Sequence, residues 1–137
     1  MKHQNIAIVL AASIAIHAPA SAQEITVESA QPVVVKTIPE AGSATVDAVG
    51  TTGLRVTFSK EMNTGSWSWC NLPDKIGYPE TTGKPRYLED KRTCVLPVKL
   101  KPGTTYAVWI NTQHTRNFMD TKRQPAAPYL LVFKTKE

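Results

Sequence analysis

The 137-residue chain is poor in the groups from which active sites are assembled. It holds three histidines, and two of them, His3 and His17, fall in an N-terminal segment that reads as a leader, so His114 alone is left to a folded domain. A Ser-His-Asp or Cys-His arrangement would have to use it, yet His114 sits in a polar connection and no Gly-x-Ser-x-Gly nucleophile elbow is present. There is no phosphate-cradling glycine loop. Cys70, Cys94 and His114 form no spaced pair of zinc ligands. Adjacent carboxylates occur at Glu89-Asp90, in a turn where solvation accounts for them, and Asp120 alone supplies too little charge for a calcium site. No catalytic residue, cofactor or metal is expected, and the chain is not read as an enzyme.

Long hydrophobic runs are also missing. The apolar stretch of residues 6–16 is about ten residues long, where a membrane span needs about twenty. With Met1-Lys2 in front and Ala18-Pro19-Ala20-Ser21-Ala22 behind, it matches a signal peptide over residues 1–22, cleaved after Ala22. No cysteine stands at the cleavage point to take a lipid. Residues 23–137 then make one domain, with no further span, in the periplasm or secreted. Sixteen basic residues against eleven acidic give a net charge of +5, scattered without a block of like sign. Export makes nucleic acid an unsuitable partner. The same compartment would allow a disulfide between Cys70 and Cys94; the alternative is two free thiols on unconnected strands.

What the chain does have is β-alternation. Residues 23–31 form a polar, mobile lead-in. Val33 to Ile38, bounded by Pro32 and Pro39, reads as a first edge strand. Leu54, Val56 and Phe58 alternate with Arg55 and Thr57, and Met62 plugs back under the core. Residues 66–72 alternate again through Trp67, Trp69 and Cys70. Residues 73–90 carry prolines and glycines among charges and read as a long loop or inserted hairpin. Cys94, Leu96, Val98 and Leu100 share one face of a strand that Pro97 assigns to an edge or a bulge. Leu100-Lys101-Pro102-Gly103-Thr104-Thr105-Tyr106 is a type II turn followed by a tyrosine corner, with Tyr106, Val108 and Ile110 inward. Tyr129 to Thr135 closes the domain. About seven strands and no amphipathic helix make an all-β, Greek-key antiparallel sandwich over residues 32–137.

Pro39-Glu40-Ala41-Gly42, Val56-Thr57-Phe58-Ser59-Lys60-Glu61-Met62, the Leu100 to Tyr106 corner, Asp120 and Phe133-Lys134-Thr135 occur in the order and spacing of a known family. The chain resembles the bacterial Ig-like domain of the S-layer protein SbsA over most of its length. The resemblance implies an Ig-like sandwich used as a spacer, adhesion or ligand-presenting module, and it carries no catalytic residues. The family often has a glycine soon after the aspartate of the final hairpin, where this chain has Asp120-Thr121-Lys122-Arg123.

One constellation remains as a candidate surface. If Cys70 faces inward, Trp67 and Trp69 point outward and join Trp109 in an aromatic platform suited to sugar rings or a partner protein. The competing arrangement buries Trp67 or Trp69 in the core and turns Cys70 outward, which makes a bridge to Cys94 difficult. The functional expectation is an exported, non-catalytic binding or adhesion module contacting a cell-envelope glycan or an exported protein. The alternative is an accessory or inhibitory partner of a secreted enzyme, acting through the 73–90 loop.

Overall fold

A computed structural model describes residues 7–18 and 23–137; the start of the leader and the expected cleavage point lie outside the described residues. Residues 7–18 form no helix or strand, and the apolar side chains among them, such as Leu10 and Ile16, are exposed. The domain is built from β1 (Val34–Ile38), β2 (Gly53–Phe58), β3 (Trp69–Cys70), β4 (Glu80–Thr81), β5 (Arg86–Tyr87), β6 (Thr93–Lys99), β7 (Thr105–Ile110) and β8 (Tyr129–Lys134). One sheet runs β1-β2-β6-β4, with β5 also paired to β6; the other runs β3-β7-β8. Every ladder between these strands is antiparallel. This is the distribution of an immunoglobulin-type sandwich, four strand positions facing three.

The first strand serves both sheets. Beyond β1 and the cis Ile38–Pro39 bond, the chain crosses over and runs beside β8. Gly42 N donates to Val132 O, Val46 N to Lys134 O, and Val46 pairs with Thr135 in parallel.

Strict alternation fills the space between the sheets. Leu54, Val56 and Phe58 of β2, Cys94, Leu96 and Val98 of β6, Tyr106, Val108 and Ile110 of β7, and Leu131 and Phe133 of β8 are all buried. Met62 closes the floor at 2% exposure. Pro97 does not mark an edge, because β6 lies inside its sheet. Val98 N donates toward β2, to Thr52 O, so the Pro97 nitrogen faces the other way. On that side the chain breaks between β5, opposite Cys94 and Val95, and β4, opposite Val98 and Lys99. There Thr82 N donates to Pro97 O at 3.0 Å, so the Thr82–Pro97 pair keeps one of its two bonds and the pairing of β4 with β6 ends at the proline.

At the corner before β7, Gly103 takes φ +61°, the left-handed value that the third residue of this turn requires. The Tyr106 hydroxyl accepts a hydrogen bond from Lys101 N at 2.7 Å. Thr135 clamps the same turn from β8: its Oγ1 donates to Lys101 O at 2.6 Å and accepts from Thr104 N at 2.9 Å.

The lead-in is held, contrary to its expected mobility, from residue 28 onward. Lys60 is buried and its Nζ donates to Glu28 O at 2.6 Å, Ala30 O at 3.2 Å and Asp120 Oδ2 at 2.9 Å. Asp120 Oδ1 in turn accepts from Lys122 N and Gln124 N. The hairpin at 120–124 closes without the family's glycine, since Arg123 itself adopts φ +65° and donates its N–H to Asp120 O.

Candidate functional site

The register of β3 on β7 decides the direction of the tryptophans. Trp69 stands opposite Ile110 and Cys70 opposite Trp109. Directly opposed residues share a face, so Trp69 lies with fully buried Ile110 on the core side, and Cys70 lies with Trp109 on the outer side. The Trp69 ring meets Phe118 edge-on, with centroids 5.5 Å apart. Trp69 and Trp109 are therefore on opposite faces of one sheet, and Trp67, Trp69 and Trp109 do not form a common platform. The physical reason is area: burying an indole removes far more apolar surface from water than burying a thiol.

The same register separates the cysteines. Cys94 points inward from β6, Cys70 outward from β3, and both are free thiols. Burial pushes the Cys94 thiol up to about 12, offset in part by the Trp69 N–H directed at its sulfur. The geometry of that contact falls short of a full hydrogen bond, and among the described residues the enclosed Trp69 Nε1 has no other partner. The Tyr87 hydroxyl beside it is likewise unpartnered, and burial first and the nearby Cys94 second drive its acidity down.

What β3 builds instead is a groove at the open edge of the sandwich, about 370 Å³ in volume, where Trp67, Trp69 and Tyr78 converge above Leu96. Each wall has a local cause. Ser68 is buried between the two tryptophans; its Oγ accepts from Asn117 N at 2.8 Å and its carbonyl from Asn111 N at 3.1 Å. Asn111, at φ +58° and fully buried, donates from Nδ2 to Phe118 O and Ala126 O and accepts at Oδ1 from Phe118 N. That closed set of bonds fixes Phe118, and Phe118 fixes Trp69.

The opposite wall comes from the loop after β3. Gly77 O accepts from Ala107 N at 2.9 Å, extending the sheet past β3. Gly77 has φ +71°, and a Cβ there would stand 3.1 Å from Ala107 N, so both the turn and the close approach require glycine. The next residue, Tyr78, reaches back to Trp69 O with its hydroxyl at 3.4 Å. Lys84 Nζ lies 5.4 Å from the centroid of Trp67, in cation-π range. The result is a half-buried aromatic slot with one cation over one ring, backed by hydroxyl and amide groups of Thr81, Thr115 and Asn117.

The groove holds no assembled nucleophile. Cys70 borders it, but burial raises its pKa and no base stands beside it. His114 is exposed in the 111–118 connection, its backbone N–H donating to Thr112 Oγ1. Asp120 is committed to Lys60 and two backbone amides. Asp90 caps the turn before β6, accepting from Arg92 N, Thr93 N and Thr93 Oγ1. Among the described residues no three of His, Cys, Asp and Glu come together as a metal site. A wider cleft of about 660 Å³ runs along β1, lined by Val34, Val35, Thr37 and Ile38 with Lys36, Glu40 and Tyr129; Lys36 and Glu40 are exposed, and no histidine, cysteine or serine joins them.

Sequence pattern alone does not place Lys60, Asn111 or Tyr78 in a site or in the core. A signal existed for Lys60: it continues the inward series Leu54, Val56, Phe58 and precedes inward Met62 by two residues. Nothing local marks Asn111, whose partners lie seven and fifteen residues on.

A family model described as bacterial Ig-like domain matches residues 28–135. A comparison with curated proteins finds no match. Among solved structures, domains 1–6 of the surface layer protein SbsC are similar at 19% identity with a TM-score of 0.49, covering 80% of this chain and 14% of that one. The crystal structure of the S-layer protein rSbsC(31-844) is similar at 19% identity and TM-score 0.48, covering 78% of this chain and 14% of that one. The chain thus spans about 14% of the length of either structure, and the S-layer protein found is SbsC, where the sequence resemblance pointed to SbsA.

Proposed function

The chain belongs to the bacterial Ig-like domain family, and from that premise we propose that it is an exported, non-catalytic binding module of the cell envelope whose working surface is the groove at β3. The observation that carries this reading is the convergence of Trp67, Trp69 and Tyr78 on one slot with Lys84 over the outermost ring. Flat rings flanked by hydroxyl and amide groups suit the apolar face and polar rim of a sugar, so a cell-envelope glycan is the ligand class. Export rests on the leader pattern of residues 1–22, and location is periplasmic or secreted. No helix among the described residues is long and apolar enough to cross a membrane.

Titration with soluble peptidoglycan fragments tests the proposal through tryptophan fluorescence. The expected result is a saturable change that Trp67→Ala abolishes and Lys84→Ala weakens. Absence of any change in the unaltered protein, or equal binding by Trp67→Ala, overturns it.

One observation favours a second reading, an accessory or inhibitory partner of a secreted enzyme. Tyr78, Thr81, Gly83 and Pro85 all come from the 73–90 loop, so the groove rim is a loop surface of the kind that docks on proteins. One-to-one co-purification with an exported enzyme, whose turnover falls when the domain is added, supports this reading over the first.

A further inference from the structure

The outer face of the β2-β6-β5 sheet carries a second polar feature, separate from the groove but bordering its Gly83 and Pro85 rim. Register places Arg55 of β2 and Arg86 of β5 directly opposite Val95 of β6, one on each side. The three side chains form one cross-strand row with the arginines two strand spacings apart, roughly 10 Å at the backbone. Val95 faces away from the core cluster, yet it is only 4% exposed. Long aliphatic stems are what its two neighbours offer to cover it, which leaves their guanidinium groups above a common floor.

That floor is concave. A dish of about 340 Å³ is bounded by Arg55, Arg86, Ile38 and Pro97, with Thr51 and Thr52 on one rim. Its depth comes from Gly53, where a Cβ would stand 2.9 Å from Val95 Cγ1 and fill the space. Gly53 has no positive φ, so the room it leaves, and not its conformation, is what distinguishes it from other residues here. Among the described residues the one ion pair is Lys60–Asp120, and neither Arg55 nor Arg86 donates a side-chain hydrogen bond. The carboxylate on the rim side is Asp47, whose Oδ1 is held by Val49 N.

We infer that this dish binds the carboxylate groups of an acidic polysaccharide, with Arg55 and Arg86 as paired guanidinium donors over Val95 and Thr51 and Thr52 meeting the sugar hydroxyls. Arginine presents a planar fork that matches a carboxylate with two parallel N–H bonds, and two such forks along one row suit a polymer with a repeating charge. Ile38 and Pro97 flank the row as apolar contacts for the ring. A membrane surface fits less well, because the feature is recessed and has no apolar side chain projecting from its centre. The site does not depend on the groove at β3.

The test is calorimetric titration with polygalacturonate, with neutral dextran as the control polymer. The expected result is binding to polygalacturonate and not to dextran, weakened as salt is raised. Arg55→Gln with Arg86→Gln keeps the stems over Val95 and removes the charge, and should lower affinity at least tenfold with an unchanged melting temperature. Lys122→Ala with Lys134→Ala removes the same net charge elsewhere and should lower it less than threefold. Equal losses in the two double variants would mean diffuse attraction and overturn the site. No binding by the unaltered protein overturns it too, as does arginine-dependent binding to phosphatidylglycerol vesicles without binding to polygalacturonate.

Discussion

Lys60 Nζ lies 2.9 Å from Asp120 Oδ2, with the two side chains 4% and 1% exposed, so that a buried ion pair joins the end of β2 to the last connection of the domain. Asp120 feels opposing influences. Burial alone would raise its pKa, but the Lys60 bond and the amides of Gln124 and Lys122 together hold it below the usual 3.8. A carboxylate whose folded pKa is depressed contributes stability that is present above its unfolded value and lost as pH falls through the folded one. Denaturant midpoints should therefore stay level from pH 7 to about 5 and fall below about pH 4. Asp90, also lowered against the effect of burial by Thr93 and the Arg92 amide, adds to the loss with the same sign.

Removing one partner leaves the other charged and buried, which costs about 3–5 kcal/mol. Lys60→Met should lower stability by that amount in urea unfolding. Because Lys60 also holds the carbonyls of Glu28 and Ala30, the same variant should lose amide exchange protection at Ala30 even where the rest of the domain is folded. Retained protection there would show that the lead-in is held by other contacts, such as Gln31 on Pro125 O.

The Tyr106 hydroxyl takes its hydrogen bond from Lys101 N while the ring packs against Phe133 at 5.5 Å. Tyr106→Phe keeps the ring and strands the amide, so a loss of about 1 kcal/mol or more is expected. Ligand binding at the groove should be unaffected. A stability change near zero would place that amide in water.

These two sites differ in how far the sequence reveals them. Tyr106 was legible because its partners are local: the Pro102-Gly103 turn is written in adjacent residues, and alternation through Val108 and Ile110 fixes the side on which the ring falls. Lys60 was not, because a lysine after a strand reads as solvated and its partner is sixty positions on. The direction of β3 was ambiguous for another reason. In Trp67-Ser68-Trp69-Cys70 either alternate set can face the core, and the choice is made by Phe118, delivered from a polar connection by Asn111. Pro97 misled because proline excludes a donor from one side of a strand only, and whether that side is paired is a tertiary fact.

The thiols offer a direct check on the pairing of strands and on the disulfide allowed by export. Cys94 is fully buried, with its pKa pushed up to about 12, whereas Cys70 is half-buried on the outer side. In the folded protein at pH 8 a thiol reagent should label Cys70 and spare Cys94, and unfolding without reductant should release both for labelling. If no thiol is labelled until reductant is added, the purified protein carries a Cys70–Cys94 bond and β3 must rotate to form it.

Iodide quenching of single Trp→Phe variants separates the three indoles. Trp69 has its Nε1 enclosed and its ring edge-on to Phe118, so it is the protected fluorophore. Trp69→Phe should raise the mean quenching constant of the remaining pair. Trp109, on the outer face opposite Cys70 and beside Leu130 at 37% exposure, should contribute more of the quenching, and Trp109→Phe should lower the constant. Lys84 over Trp67 attracts the anionic quencher, so Lys84→Ala should reduce quenching of Trp67 without moving its emission maximum. Equal accessibility of Trp69 and Trp109 would contradict the register Trp69 to Ile110 and Cys70 to Trp109, and with it the groove on which the binding proposal stands.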